Sequence, residues 1–371
     1  MYKISFCTVC MNRLTHLRQT LPVNILENMD YPNIEFVLLD YNSPDGLESW
    51  VQSNMGEYIR SGLLKYYKTT EPDIFYLSHS KNMALKLATG DIICMVDSDN
   101  FAGPGYAHWI NKVFAEKGEN TIITTLLPNH IPYRDQGGKL CFHRDLFHSV
   151  SGFDESLVGY GVEDMDLVNR LEDAGGSRVP IENRQFLEYI GHSDFERLKN
   201  HHLINNLTEL YIQKTVFSSA LKTVLYLLKD QTFYHVHFEY DINLKRNPVK
   251  GFAGWKIRQR NGHRTGSYVR TGQYLRLRFE NGPTANCQIK EDGQLTGCTT
   301  ANDDIVSEAC TWEQVPAASE MYYGLIMAYG ECLNRFNVIL NKKYSNGINA
   351  GGWGKSIVYL NSDYSRPVQI L

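Results

Sequence analysis

Asp91-Ile92-Ile93-Cys94-Met95-Val96-Asp97-Ser98-Asp99-Asn100 is the stretch on which the reading of this chain turns. Five apolar residues in a row, closed at both ends by acids, have the pattern of a strand buried on both faces, as in a parallel sheet. Carboxylates at i and i+2 on such a strand share one face, so Asp97 and Asp99 can serve a single site. Hard carboxylate oxygens beside a diphosphate suit Mg2+ or Mn2+. Taken alone, the same acids are equally at home in a solvated turn after a strand.

Working outward, the N-terminal 130 residues alternate strand and helix patterns. Ile4–Cys10 reads as a buried strand, Leu14–Met29 has apolar residues at near-helical spacing, and Ile34–Leu39 is a second apolar strand. Asn42-Ser43-Pro44-Asp45-Gly46 is turn-rich, and Ser80–Ala88 is helical. Such β-α-β-α order predicts an α/β fold, a mostly parallel sheet flanked by helices. Ligands of open sheets bind beyond the carboxyl ends of the strands. The polar clusters Asn12-Arg13, Asp40 to Asp45 and Asp97 to Asp99 all fall at such ends. Cys7 and Cys10 form a C-x-x-C, but within a strand they point to opposite faces, which suits buried thiols better than a redox pair or half a zinc site.

Further along, Gly152-Phe153-Asp154-Glu155 precedes Tyr160-Gly161-Val162-Glu163-Asp164-Met165-Asp166-Leu167. Acids in the first turn of a helix are favoured by the dipole, so simple capping accounts for them. Three acids in four residues also repel, which can lift one pKa into a general base's range. Gly191-His192-Ser193-Asp194 then offers an imidazole, a structural histidine or one able to complete a carboxylate–phosphate metal site.

In this order, the motifs resemble the GT-A glycosyltransferases of family 2. The residues that carry the likeness are the strand ending in Asn12-Arg13, Asp40-x-x-Ser43-x-Asp45-Gly46, Ser80-Lys81-Asn82-x-Ala84, Gly90-Asp91 and Asp97-Ser98-Asp99. From Gly152-Phe153-Asp154-Glu155 onward the chain is similar to β-1,4-galactosyltransferases and chondroitin-type synthases. The resemblance covers about residues 1–205 and implies a GT-A fold and an inverting, metal-dependent hexosyltransferase using a UDP-sugar. It implies Asp164 as general base and Glu163 as the residue orienting substrate hydroxyls. It places Asp40 and Asp97 on the nucleoside, with Cys10, Asn12, Arg13, Lys81 and Asn82 around the nucleotide. Asp99 and His192 would bind Mn2+ or Mg2+, and Tyr160 would stack on the acceptor sugar. The galactosyltransferase motif has a Trp where this chain has Leu157-Val158-Gly159-Tyr160-Gly161, so acceptor identity does not carry over. Glu-Asp rather than Glu-Asn favours single displacement with inversion.

The rest of the chain matches no family by these motifs. Asn206–Leu228 has helical spacing and is expected to connect the catalytic region, 1–205, to a smaller C-terminal domain over 231–371, mainly β or α+β. Residues 245–279 hold ten Lys or Arg and no acid, whereas 280–320 hold eight acids and one lysine. Cross-strand pairing of the basic strands with the acidic segment explains this asymmetry. A grip on a polyanionic acceptor, an anionic lipid surface or a nucleic acid is the other reading, of which peripheral membrane contact through 245–278 is retained and nucleic acid is not expected. Alternation in Tyr274-Leu-Arg-Leu-Arg-Phe predicts a strand, and Glu320–Lys343 a helix.

With 371 residues, 43% hydrophobic and 21% charged, the composition is that of a globular protein. A net charge of -4 argues against a nucleic-acid coat. The N-terminus lacks a charged-then-apolar leader, and Val216–Leu228 is too short to span a bilayer. A cytoplasmic protein, at the inner face of the membrane if the basic stretch binds lipid, is expected. It would act on a glycan or glycolipid acceptor in surface polysaccharide synthesis. Two alternatives stand beside it. A sugar nucleotidyltransferase would need a Gly-rich loop after the first strand, where Cys10-Met-Asn-Arg-Leu stands. A non-catalytic carbohydrate-binding protein would bind glycan and ignore UDP.

Overall fold

The computed structural model describes residues 1–126, 137–213, 221–240, 255–257, 262–282, 284–299, 311–317, 319–344 and 347–371. Five of the ten basic-stretch cations (Lys245, Arg246, Lys250, Arg258 and Arg260) lie outside them. The chain forms two compact units. The first comprises Met1–Val158, Val162–His192 and Asn337–Leu371; the second comprises Gly159–Gly161 and Ser193–Phe336. The C-terminal 35 residues, read from sequence as part of the second domain, thus belong to the first unit.

The first seven strands are β1 (Ile4–Cys10), β2 (Ile34–Tyr41), β3 (Leu64–Thr69), β4 (Ile92–Met95), β5 (Thr121–Thr124), β6 (Leu140–His143) and β7 (Ser177–Pro180). Among the described residues, nine more follow in the second unit: β8 (Leu207–Gln213), β9 (Leu221–Leu228), β10 (Thr232–Tyr240), β11 (Trp255–Ile257), β12 (His263–Thr271), β13 (Tyr274–Phe279), β14 (Thr284–Ile289), β15 (Leu295–Thr299) and β16 (Trp312–Gln314). β17 (Ser356–Leu360) and β18 (Pro367–Ile370) return to the first.

The sheet of the first unit has the order β18-β17-β3-β2-β1-β4-β6-β5-β7. Its centre, β3-β2-β1-β4, is parallel, while β6 and β17 pair antiparallel on either side. The fold is therefore α/β with a mixed sheet. Even-numbered β1 residues (Ile4, Phe6, Cys10) join the core on one face, and Cys7 and Val9 join the other. The strand period of two thus separates the C-x-x-C thiols, and burial raises both well above the ordinary thiol value. Glu35 ties the central strands together, accepting from Ser5 Oγ (2.6 Å), Lys65 Nζ (2.7 Å) and the Thr89 N–H (2.6 Å). Burial works against its charge, yet these bonds hold its carboxyl down to about 2.

In the second unit the order is β11-β10-β12-β13-β14-β15-β16-β8-β9, and β9 also pairs with β10. Through the β9–β10 pairing the described strands other than β11 close into an antiparallel barrel, while β11 pairs with β10. Side chains such as Leu225, Phe233, Leu277, Phe279 and Trp312 pack as one cluster on one face of the strands. Leu210, Val224, Tyr226 and Val236 on the other face pack with the Glu320–Tyr344 helix. Asn334 of that helix is fully buried; it accepts from the Gly159 N–H (3.0 Å) and donates to the Gly159 and Gly161 carbonyls.

The helix expected over Asn206–Leu228 is a pair of strands, β8 and β9. Both faces of these strands are buried, so apolar residues occupy odd and even positions and the alternation that marks a strand is erased. Among the described residues, Arg276 and Arg278 of β13 lie opposite Asn286 and Thr284, and Arg270 pairs with Glu209; of the acidic segment, Asp303, Asp304 and Glu308 lie outside the described residues. The expected strand at Tyr274–Phe279 and the C-terminal helix are both present.

Candidate active site

Parallel β1, β2 and β4 deliver Cys10, Asp40 and the Asp97–Asp99 turn to the same edge of the sheet, because parallel strands end together. The turn after β4 is held from beneath by the helix Leu14–Leu26 and the residues just past it. Thr20 Oγ1 donates to the Ser98 carbonyl (2.7 Å), and Asn24 Nδ2 to that of Asn100 (3.0 Å). Asn28 Nδ2 donates to the Gly103 carbonyl (3.1 Å). Spacing of four places the three side chains along one face. Ser98 is buried, and the flanking Asp97 and Asp99 are partly open.

Asp99 meets His192 directly, with Oδ2 2.7 Å from Nε2. The 188–190 segment runs antiparallel to 99–101: the Phe101 N–H donates to the Glu188 carbonyl and the Ile190 N–H to that of Asp99. Burial would raise the Asp99 carboxyl. Hydrogen bonds from His192 and Asn100, with the charges of His192 and Arg13, outweigh it and hold Asp99 below the usual range.

A second acid pair opens the helix Glu163–Asp173. Lys81, on the helix Leu77–Leu87, donates to Glu163 Oε1 at 3.0 Å and Asp164 Oδ1 at 2.7 Å. The Lys81 side chain is 5% exposed, Glu163 7% and Asp164 18%. Val162, immediately before them, has φ +78, a left-handed conformation that a β-branched residue adopts only under constraint. Burial pushes the Asp164 carboxyl up to about 7; Lys81 opposes this, and the negative charges of Glu163 and Asp97 add to it. The other oxygen of Glu163, Oε2, is buried without a hydrogen-bond partner. Asp166, the third acid, is spent on the helix itself, accepting from Arg170 Nε (2.8 Å).

The structure brings the charge of Asp97 to bear on Asp164, Lys81 and Lys139. It places other expected residues differently. Asp40 is fully buried; its oxygens accept from the Ser43 N–H and the Tyr66 O–H, both at 2.7 Å, and burial raises its carboxyl against those bonds. Asn82 is also fully buried and clamps the Gly152–Glu155 loop, exchanging hydrogen bonds with Phe153 and donating to Glu155 Oε1 (2.8 Å). Cys10 is buried, and Asn12 has φ +56 with its N–H donating to Ser43 Oγ. Arg13 precedes the first helix, within electrostatic reach of Asp99. Tyr160, in the second unit, accepts from Arg197 Nη1 at 2.7 Å.

Sequence reading passed over Lys139. It is fully buried, and its ammonium donates to the carbonyls of Phe101 and Phe186, joining the Asp99 and His192 segments. Burial brings it down to about 8, although Asp97 pulls the other way. The available signal was Gly137-Gly138: a Cβ on Gly138 would lie 2.0 Å from Asp97 Oδ2, so a larger residue there would displace that carboxylate.

Among the described residues, no group of three or more His, Cys, Asp or Glu is set to hold a metal by itself. Asp99 and His192 supply one oxygen and one nitrogen donor, a set that suits a cation whose other positions are filled by phosphate oxygens and water. No helix among the described residues is long and apolar enough to cross a membrane.

Residues 5–127 match the model of glycosyl transferase family 2, and residues 125–204 match that of the N-terminal domain of galactosyltransferase. No curated protein sequence matches the chain. Among solved structures, a mannosyltransferase from Pyrobaculum calidifontis in complex with GDP-Man and Mn2+ is 20% identical over 55% of this chain and 64% of its own, with a TM-score of 0.43. S. aureus TarS 1-349 is 15% identical over 54% of this chain and 64% of its own, with a TM-score of 0.41. The catalytic domain of Drosophila β1,4-galactosyltransferase 7, in complex with xylobiose, is 16% identical over 54% of this chain and 75% of its own, with a TM-score of 0.38. The chain thus spans under two thirds of the first two. The two matches together run over residues 5–204, which are similar to glycosyl transferase family 2 in the first part and to the N-terminal domain of galactosyltransferase in the second.

Proposed function

We propose that this protein transfers a hexose or N-acetylhexosamine from a UDP-sugar to a hydroxyl of a glycan or glycolipid, with inversion at the sugar carbon. The observation that carries this is a pair of unlike carboxylates, Asp99 and Asp164. Asp99, held ionised beside His192, suits a cation and diphosphate; Asp164, with its carboxyl near 7, suits a base.

In this reading, Asp164 accepts the proton of the acceptor hydroxyl while that oxygen forms its bond to C1 of the donor sugar. The C1–O bond to UDP breaks on the opposite face, and UDP leaves with the electron pair. Glu163 Oε2, buried without a partner, receives a hydroxyl hydrogen of the bound sugar. Asp99 and His192 would hold Mn2+ or Mg2+, which when bound neutralises charge on the diphosphate. Arg13, within electrostatic reach of Asp99, adds a fixed cation. Asp40 is the nucleoside contact only if its full burial is relieved, each of its oxygens already accepting one hydrogen bond. Synthesis of a surface polysaccharide, and peripheral binding of the 245–278 stretch to an anionic membrane, remain parts of the same proposal.

Calorimetric titration of UDP with Mn2+, and again with EDTA, tests it. Binding that requires the metal and is lost in Asp99→Ala is expected. Equal binding with and without metal, or none, overturns it.

A further inference from the structure

Lys81 stands in the motif Ser80-Lys81-Asn82, where an exposed helix lysine would be free to meet a phosphate. Its ammonium is not at the surface. It lies between Glu163 Oε1 and Asp164 Oδ1, 5.3 Å from the centre of the Phe153 ring, with the side chain 5% exposed. Two of its three N–H donors are committed to carboxylates. Moving it to a diphosphate would leave two adjacent carboxylates, little exposed to solvent, without a counter-ion, which is strongly unfavourable.

We infer that Lys81 is a positioning residue for the base, holding Asp164 and Glu163 in place and compensating their charge, and is not a ligand of the donor diphosphate. This rests on the reading of Asp164 as general base. Three carboxylates act around this position: Glu163 beside Asp164 on one helix, and Asp97 from the turn after β4. Lys81, from the helix Leu77–Leu87, is the cation acting on Asp164. Without it, mutual repulsion and burial favour a protonated Asp164, which cannot accept the acceptor's proton. With it, Asp164 titrates near neutrality, and its Oδ1 is fixed by a charge-assisted bond. The same bond fixes Glu163 through Oε1, leaving Oε2 for a substrate hydroxyl. Asn82, next in sequence, clamps the Gly152–Glu155 loop, so neighbouring residues of one helix anchor both acidic segments.

The test combines carboxyl NMR titration of Asp164 with UDP calorimetry in Mn2+ and pH–rate profiles, on the wild-type chain, Lys81→Met and Lys81→Arg. In Lys81→Met the Asp164 midpoint should rise by about one to three pH units, as loss of a paired cation dictates. The acid limb of kcat should move with it. UDP affinity should change by less than about threefold, because the lysine's charge-assisted bonds go to the acids. Lys81→Arg, which keeps the cation, should restore most of the midpoint and the pH limb.

The inference is overturned if Lys81→Met weakens UDP binding about tenfold or more while the Asp164 midpoint stays put. Should Lys81→Met not fold, Lys81→Arg decides on the same two readings: lost UDP affinity with an unmoved midpoint overturns the inference. If the wild-type chain neither binds UDP nor transfers sugar, yet the midpoint moves as stated, the proposed function fails while the ion-pair assignment stands.

Discussion

Two carboxylates in the first unit, Asp99 and Asp164, about equally short of solvent, are driven in opposite directions. Asp99 is held below the usual carboxylate range by His192, Asn100 and Arg13, whereas Asp164 is pushed up to about 7 despite its contact with Lys81. Burial disfavours ionisation in both. What differs is the company. Asp99 receives hydrogen bonds from two neighbours and feels Arg13, while Asp164 shares one ammonium with Glu163 and also feels Asp97. One position is arranged to remain an anion, the other to exchange a proton, and the ratio of donors to carboxylates decides which.

The sharpest way to break this contrast is Asp164→Asn, which removes the proton acceptor while keeping the shape. Transfer should fall about a thousandfold, within the range expected for a lost general base, with UDP binding retained. An activity near wild type would remove Asp164 from the chemistry. The wild-type kcat/KM should rise with pH through a limb near 7, because the base acts only when deprotonated. A limb near 4 would mean that Lys81 fully compensates the burial. Asp99→Ala addresses the other pair and should weaken Mn2+-dependent UDP binding about tenfold or more, leaving the pH limb in place. If that limb moved instead, the two pairs would be one coupled system.

Glu35 supplies the smallest effect and a control, a buried carboxylate with no part in the proposed site. Glu35→Gln should cost about 2 kcal/mol of stability near neutrality, the scale of hydrogen bonds to a charged group. Its native pKa lies below its unfolded value, so the stabilisation is present above about 4.5 and is lost as pH falls toward about 2. Denaturant melts of the wild type and variant at pH 7 and pH 3 measure this; a difference equal at both values would contradict the ionic origin.

Much of the site was legible as residue types at strand ends. Asp97 and Asp99 follow an apolar strand, and Glu163 and Asp164 follow a turn into a helix, so local periodicity marks where each begins. Partnership was not legible. Nothing near Lys81 in sequence distinguishes a lysine buried against two acids 82 and 83 positions away from one facing a phosphate. Asn82 clamps a distant loop, Asp40 is enclosed by Tyr66, and Lys139 fastens two segments from beneath. Each depends on which strands become neighbours.

The sequence by itself determined the α/β order, the two faces of β1 and the acids that end β4 and open the helix at Glu163. These follow from periodicity, and periodicity is local. Tertiary structure alone decided that β8 and β9 are strands of a closed barrel, because burial on both faces hides their alternation. It also decided the charge on each acid, because a carboxylate's pKa is set by the burial and neighbours that folding brings to it.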